Sequence, residues 1–431
     1  MKEYIFAAVV GNDESKPLRF HNLFNRSGHN QLSSLLCFQV GGLRLLKRIR
    51  LACSLTIASS LPRLIFRIHT SKAHLSSILY YITGHGYGHA VRSNQVICRL
   101  QRKSSDLKIH IRTTAPEWLF QGRIFQSREA IDVGIVQKDS LDMNLDATLQ
   151  ACQALHRNIA GLIKQETDFV RAHQIRLIVG DIPPICFEIA ARAAIDSVAI
   201  GNFTWSWIYR TYIRNYPGFT SVIEEMESFY RKATLALTLP YPCGMAVFPR
   251  REPVPWITRT SSLTKQEARR AFNLPQSATI VLLSFGGLGL ERLPWGKLKA
   301  LGDFFFVTTG ETKKEISNVC FLPEAQRNYE DLVRAVDVVA TKPGYGIVAD
   351  AISHQVRILY TDRGDFAEYP HLVRALDECA TAEFIPRDRL LSGDLGSYLN
   401  RLLARKRSGS VTPLDGAEVA ATKILELIDR S

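Results

Sequence analysis

Two histidines stand four positions apart in a glycine-rich stretch, Thr83-Gly84-His85-Gly86-Tyr87-Gly88-His89-Ala90-Val91-Arg92. Imidazole is the side chain best suited to take a proton near neutral pH, and a loop without a core face gives neither histidine a packing reason to be there. Gly84, Gly86 and Gly88 let backbone approach a ligand closely. A helix opening near Ala90 offers unpaired N–H groups to an anion or a sugar hydroxyl, and Arg92 adds a cation on the same stretch. A dinucleotide fingerprint fits poorly, because GHGYGH lacks the GxGxxG spacing and no acidic residue closely follows the next strand.

A partner for such a base stands in Ile178-Val179-Gly180-Asp181-Ile182-Pro183-Pro184. A carboxylate at the end of an apolar strand can fix a histidine's tautomer and stabilise its charged form. Capping the helix that Pro183-Pro184 begin is the plainer role, and the two are compatible. The segment Gly201-Asn202-Phe203-Thr204-Trp205-Ser206-Trp207-Ile208-Tyr209 follows another strand. It reads as an acceptor-binding wall, with Asn202 and Trp205 its expected contacts, since sugar faces stack on aromatic rings; core packing is the alternative for any one ring.

The second half carries candidate anion sites. Ser284-Phe285-Gly286-Gly287-Leu288-Gly289 ends a strand, with Gly286 and Gly287 placed for close backbone approach to a donor. Thr341-Lys342-Pro343-Gly344-Tyr345-Gly346-Ile347-Val348-Ala349-Asp350 follows a strand and opens a helix. Backbone N–H groups at Gly344, Tyr345 and Gly346, the helix dipole and Lys342 together suit a diphosphate. Asp350, two turns inward, is placed to accept from ribose hydroxyls. In Tyr360–Pro370, Asp365 and Glu368 are the candidates for holding hydroxyls of a transferred sugar.

These residues need a scaffold that brings strand ends together. From Ser77 onward, short β-rich runs alternate with amphipathic helical stretches, the signature of parallel βαβ units. Strands are expected at 78–83, 108–113, 131–136, 176–179, 197–200 and 235–239, with a long helix whose stripe is Leu155, Ile159, Leu162 and Phe169. Tyr241–Trp256 holds four prolines in 16 residues, too many for helix or central strand, and reads as an interdomain linker. The alternation then restarts at 279–285, 304–308, 336–341 and 357–360, ending in a helix near 414–428. The expected fold is α/β: two Rossmann-like domains facing each other across a cleft, with an extra basic N-terminal segment. The boundaries are 1–76 for the extension, 77–240 for an acceptor domain, 241–277 for the linker and 278–431 for a donor domain. In open α/β sheets of this kind, ligands bind at the carboxyl ends of strands.

Composition narrows the function classes. The chain has 431 residues, 46% of them hydrophobic and 22% charged, which excludes a wholly disordered or collagen-like protein. Eight scattered cysteines without a CxxC pair exclude a zinc framework and a dithiol motif, and point to a reducing, cytoplasmic compartment. No run of ~18 uncharged apolar residues is present to span a membrane. Of the net charge of +13, residues 1–75 carry 11 Lys/Arg against three Asp/Glu. The remainder is only mildly basic, without the concentrated stripe of a nucleic-acid surface, so no nucleic-acid partner is expected. Residues 35–67 mix aliphatic residues with arginines; they read either as a cationic amphipathic helix making peripheral membrane contact or as an extension without a fold of its own.

The order of GHGYGH, Asp181, FGG and KPGYG-x3-D resembles GT-B glycosyltransferases, in particular family-28-type enzymes and the glycosyltransferase-like N-terminal half of plant L-arabinokinase. YYITGHGYGHAVRS, VGDIPPICFEIA and GNFTWSWIY carry the second likeness, which covers about residues 77–430. The resemblance implies that His89 is the loop histidine near the acceptor, with His85 an additional one. It implies a pyrophosphate loop at Gly344, Tyr345 and Gly346, a ribose-binding acid at Asp350 and a donor-sugar contact at Glu368. Lys342 stands where plant-type members have His. Arabinokinases carry a sugar-kinase half after this region, so kinase activity is not implied.

The expected function is metal-independent glycosyl transfer from a nucleotide-sugar, with a UDP-sugar as the expected donor and no cofactor. The acceptor would be a sugar, a lipid-linked compound or another small molecule. His89, oriented by Asp181, would take the acceptor's proton. A non-hydrolysing nucleotide-sugar epimerase and a non-catalytic sugar- or nucleotide-binding module are the alternatives.

Overall fold

The computed structural model describes residues 35–40, 43–48, 76–138, 142–286, 293–310, 316–326, 328–407, 409 and 412–430. The chain divides into two compact units, 1–72 and 73–431. In the first, β1 (Leu35–Val40) and β2 (Leu43–Arg48) pair antiparallel, with Leu35 opposite Arg48. These residues are therefore strands, not the amphipathic helix considered above. Two apolar runs separated by Gly41-Gly42 carry a hairpin signal that the charge pattern obscured. The rest of the basic extension lies outside the described residues, and so do residues 41–42 and 49–67 of the segment expected to contact a membrane.

The second unit holds two parallel sheets. Its first sheet contains β3 (Ser77–Ile82), β4 (Lys108–Arg112), β5 (Ile124–Ser127), β6 (Ile175–Asp181), β7 (Asp196–Gly201), β8 (Leu235–Thr238) and β9 (Arg251–Pro253), in spatial order 5-4-3-6-7-8-9. The second contains β10 (Thr279–Ser284), β11 (Phe304–Thr309), β12 (Val319–Leu322), β13 (Val338–Thr341), β14 (Arg357–Tyr360) and β15 (Ala382–Phe384), in order 12-11-10-13-14-15. Every pairing in both sheets is parallel. All six β3 residues are buried, the two-faced burial that parallel sheets impose and that their apolar runs anticipate.

In both sheets the order reverses around the first strand of the lobe. β3 lies between β4 and β6, and β10 between β11 and β13. Connections leave to opposite faces at such a point and open a crevice beyond the strand ends. The histidine loop leaves β3 there, and the Ser284 loop leaves β10.

Three features depart from the sequence expectation. Residues 131–136 form no strand of the sheet; β5 instead takes the edge, and Asp132 and Gly134 serve the site described below. The short edge strands β9, β12 and β15, three or four residues each, have too little periodicity to read. The crossing between lobes is also narrower than the expected linker, since β9 extends the first sheet and the helix Lys265–Ala271 packs in the second lobe.

The return crossing runs beside the outgoing one. Trp256 N–H donates to the Pro413 carbonyl (3.2 Å) and Gly416 N–H to the Trp256 carbonyl (3.1 Å). A Cβ on Gly416 would sit 2.1 Å from the Pro255 oxygen, so the two strands can lie this close only with glycine there. The final helix, Gly416–Arg430, then packs on the first lobe against the helix Tyr87–Lys103. One apolar core is continuous through β3, the helices Tyr87–Lys103 and Tyr345–Ser353, and this last helix, so a shared core joins the lobes.

Candidate active site

His89 lies in the first turn of the helix Tyr87–Lys103 and is buried. Its Nδ1 is 2.8 Å from Oδ1 of Asp181, the last residue of β6. The Asp181 carboxylate also receives Arg92 Nε (2.7 Å), Arg92 Nη2 (2.5 Å) and the Ser93 hydroxyl (2.8 Å). Burial alone would raise this carboxyl, but the Arg92 charge and the hydrogen bonds from Arg92 and His89 hold it well below the usual carboxylate range. His89 Nδ1 lies 2.9 Å from Arg92 Nη2 as well, and because the ionised Asp181 carboxylate can only accept, its 2.8 Å contact assigns Nδ1 as the donor to it. That leaves His89 Nε2 as the atom with a free lone pair. Burial and then Arg92 lower the His89 pKa, with Asp181 opposing, so the ring is neutral near pH 7.

His85 has the complementary arrangement. The Ile135 N–H donates to its Nδ1 (3.3 Å), so the neutral ring carries its proton on Nε2. The ring meets Trp205 edge-on (5.2 Å) and lies parallel to Phe366 of the second lobe (6.2 Å). Burial, His89, Arg363 and Lys342 push its pKa down to about 3.

The second lobe brings a helix end to the same place. The helix Tyr345–Ser353 has Gly344 as its N-cap and no side-chain cap, as the helix Tyr87–Lys103 has Gly86 and none. Two helix N-termini with unsatisfied N–H groups therefore open onto one cavity from opposite lobes, and each favours an anion. Tyr345 stacks on Trp256 (4.8 Å), and the Arg92 guanidinium lies 5.5 Å from the Tyr345 ring. A relay crosses the cleft beside them. Arg92 Nη1 donates to Asn202 Oδ1 (2.9 Å), Asn202 Nδ2 to Glu368 Oε1 (2.7 Å), and Arg363 Nη1 to Glu368 Oε2 (3.0 Å).

The cavity between the lobes measures about 1640 Å³. Of the residues expected at the site, Gly84, His85, Gly86, Gly88, His89, Arg92, Gly286, Lys342, Gly344, Tyr345, Gly346 and Glu368 line it. Gly287 lies outside the described residues. Asp181 and Asn202 stand behind this lining as partners of His89 and Arg92. Trp205 is fully buried, so it offers no open face to a sugar; its indole N–H donates to Asp132 Oδ2 (3.0 Å). Asp350 is set back behind Arg259, whose backbone N–H (3.0 Å) and Nε (2.9 Å) occupy its two oxygens. Asp365 is exposed and lies outside the cavity lining. Glu368 is tied to Asn202 and Arg363 across the lobes.

The lining also holds residues that the sequence reading did not assign. Asp132 is half-buried, and desolvation raises its carboxyl to about 6 against hydrogen bonds from Thr83 and Trp205. Its sequence signal is an acidic residue and a glycine interrupting an apolar run. In the second lobe, Thr258 Oγ1, Glu330 Oε2 and the Tyr345 hydroxyl are buried without a partner among the described residues, in side chains that line the cavity. Unpaired buried polar atoms are costly, and a ligand would satisfy them. Thr258 and Arg259 sit in the presumed linker, where nothing in the spacing marks them. At the mouth, Tyr87 donates to Glu324 of the opposite lobe (2.6 Å).

Residues 76–225 match the family described as Glycosyl transferase family 1. L-arabinokinase of Arabidopsis thaliana is 30% identical over 373 residues, which cover 82% of this chain; the chain spans about a third of that relative, 34% of its length. Among solved structures, CalG4, the calicheamicin glycosyltransferase, superposes with a TM-score of 0.51 at 14% identity, covering 82% of this chain and 94% of CalG4. A UGT transferase from Siraitia grosvenorii in complex with UDP gives 0.50 at 11% identity, covering 82% of this chain and all of that one (100%). The chain is a GT-B-fold protein whose first lobe matches Glycosyl transferase family 1, and that match together with the fold supports a transferase.

Proposed function

We propose that this chain transfers a glycosyl group from a nucleoside-diphosphate sugar to an acceptor hydroxyl, with His89 as general base and no metal ion required. One observation carries the reading. A histidine with a free Nε2 and a helix N-terminus built for a diphosphate open onto the same cavity, one from each lobe. In this mechanism the acceptor hydroxyl gives its proton to His89 Nε2 as its oxygen bonds to the anomeric carbon. The bond from that carbon to the diphosphate breaks, and the nucleoside diphosphate leaves with an added negative charge. Asp181 remains ionised and stabilises the imidazolium; the proton then passes to solvent. The N–H groups of the helix that begins at Tyr345, with Lys342, meet the leaving-group charge.

The magnitudes are adequate. General-base assistance supplies about 10²–10⁴-fold, and one well-placed donor to developing charge in a dry site supplies about 3–4 kcal/mol. The cavity also favours two substrates. A single small-molecule site usually occupies about 300–1,000 Å³, and this one is larger. That favours transfer over an epimerase, which needs only the nucleotide-sugar.

The test is a thermal-shift screen of nucleotides and nucleotide-sugars, UDP-sugars first, followed by nucleotide release with and without added acceptors in excess EDTA. A ligand at 100 times its dissociation constant stabilises by about 2.7 kcal/mol. Acceptor-dependent release in EDTA supports the proposal. Conversion of donor alone would identify an epimerase, binding without turnover a binding module, and loss of activity restored by a divalent ion a metal-assisted enzyme.

A further inference from the structure

The cavity wall beside His89 has two more polar groups that proton removal from the attacking hydroxyl does not use. His85 carries its proton on Nε2, because the Ile135 N–H holds Nδ1. Asp132 is a carboxylate whose Oδ2 is taken by the Trp205 indole (3.0 Å). A carboxylate has about four acceptor positions, so the indole and the Thr83 hydroxyl leave room for a ligand. Both residues line the cavity together with His89. The segment that bears Asp132 is held rigidly, since Tyr209 donates its hydroxyl to the Gly134 carbonyl (2.5 Å). A Cβ on Gly134 would meet His85 Cβ at 2.7 Å, so the loop bearing Asp132 packs directly on His85. Trp205 contacts both histidine rings and fixes Asp132 at the same time.

We infer that Asp132 and His85 bind a second hydroxyl of the acceptor, so that the acceptor is a polyol of the sugar class and not a compound with one isolated hydroxyl. The arrangement rests on the glycosyl-transfer reading for its purpose and on the wall itself for its chemistry. The hydroxyl beside the attacking one donates its hydrogen to Asp132 and accepts from His85 Nε2–H. The attacking hydroxyl faces His89 Nε2, an acceptor. An isolated hydroxyl could satisfy His89 and would leave the other two groups without a ligand partner, which costs affinity. A neighbouring hydroxyl satisfies all three.

Equilibrium binding tests this apart from turnover. Calorimetry with saturating UDP would titrate pentoses, hexoses and myo-inositol, with phenol and 2-phenylethanol as monohydric comparators, into wild type, Asp132→Asn and His85→Asn. The Asn at 132 still accepts from the Trp205 indole, and His85→Asn gives an independent variant should the first fail to fold. The expected result is that a polyol binds the wild type, that either variant weakens it about 10- to 100-fold, and that the monohydric comparators bind all three proteins alike and more weakly than the polyol binds the wild type. Polyol affinities unchanged within two-fold, or binding of monohydric compounds only, or binding of nothing in the panel, would overturn it. If the binding pattern holds while no nucleotide-sugar yields product, the inference stands and glycosyl transfer falls.

Discussion

Gly346 of the second lobe and Gly88 of the first face each other across the cleft: a Cβ built on Gly346 would lie 3.5 Å from the Gly88 Cα. The leaving-group loop and the histidine loop thus face each other with room for one methyl group between these two glycines. A side chain larger than a methyl group at 346 must push the lobes apart. Gly346→Ala is expected to keep kcat/KM within about three-fold of wild type, because 3.5 Å is ordinary contact. Gly346→Val is expected to lower it at least ten-fold with little change in melting temperature, since misplacing reacting groups by about 1 Å costs on the order of 10²-fold. Steady-state kinetics and a thermal melt on both variants check this.

Asp181 joins catalysis to stability. Its removal leaves the Arg92 guanidinium, 3% exposed, without its counter-charge. Breaking a buried ion pair from one side costs about 3–5 kcal/mol, whereas replacing both partners by apolar groups is often near neutral. Asp181→Asn is therefore expected to destabilise by about that amount in urea titration and to lose activity. The Asp181→Asn/Arg92→Met double variant is expected to regain much of the stability and none of the activity.

The pH dependence follows from His89 and His85. His89 must be neutral to accept a proton, and burial with Arg92 lowers its pKa below 6.5. The acid limb of kcat/KM is accordingly expected below pH 6.5, with a flat profile above it. For stability, His85 falls from 6.5 to about 3 in the fold. Between those values the unfolded chain binds a proton that the folded chain does not, so the contribution is present above 6.5 and is lost as pH falls. Asp132, raised from 3.8 to about 6, acts oppositely over its own window, since there the folded state holds the extra proton. Urea midpoints from pH 7 to 4 should fall less steeply in His85→Asn than in wild type.

Lys342 stands beside the uncapped helix end of the second lobe. Lys342→Ala is expected to weaken a nucleoside diphosphate about ten-fold or more, the scale of a hydrogen bond to a charged group, and to weaken the corresponding nucleoside far less. Calorimetric titration of both ligands separates a phosphate contact from a general loss of the fold.

The parts of the site visible in the sequence are those announced by local chemistry. His85 and His89 stand among glycines at a strand end, Asp181 ends an apolar run, and Gly344–Gly346 open a helix. Each is a residue type out of place in its own ten-residue window. Relationships that span the chain were not visible there. Asn202 and Glu368 read as separate substrate contacts, yet they lie 166 residues apart and bond to each other. Trp205 reads as a stacking platform because density of aromatics does not reveal which face is covered; packing buries it and directs its N–H to Asp132. Asp350 reads as open to a ligand because Arg259, 91 residues earlier, lies in a stretch whose prolines suggested only a connector. The two sheets follow from hydrophobic alternation, whereas the crossing of the final helix onto the first lobe depends on contacts no periodicity encodes.

His89 is the residue on which the account turns. With a donor and acceptor found by screening, kcat for His89→Gln and the dissociation constant for the nucleoside diphosphate should be measured together. A kcat lowered about 10²–10⁴-fold, with nucleotide affinity held within two-fold of wild type, is the predicted result. Turnover that survives the substitution would contradict a proton acceptor at this position.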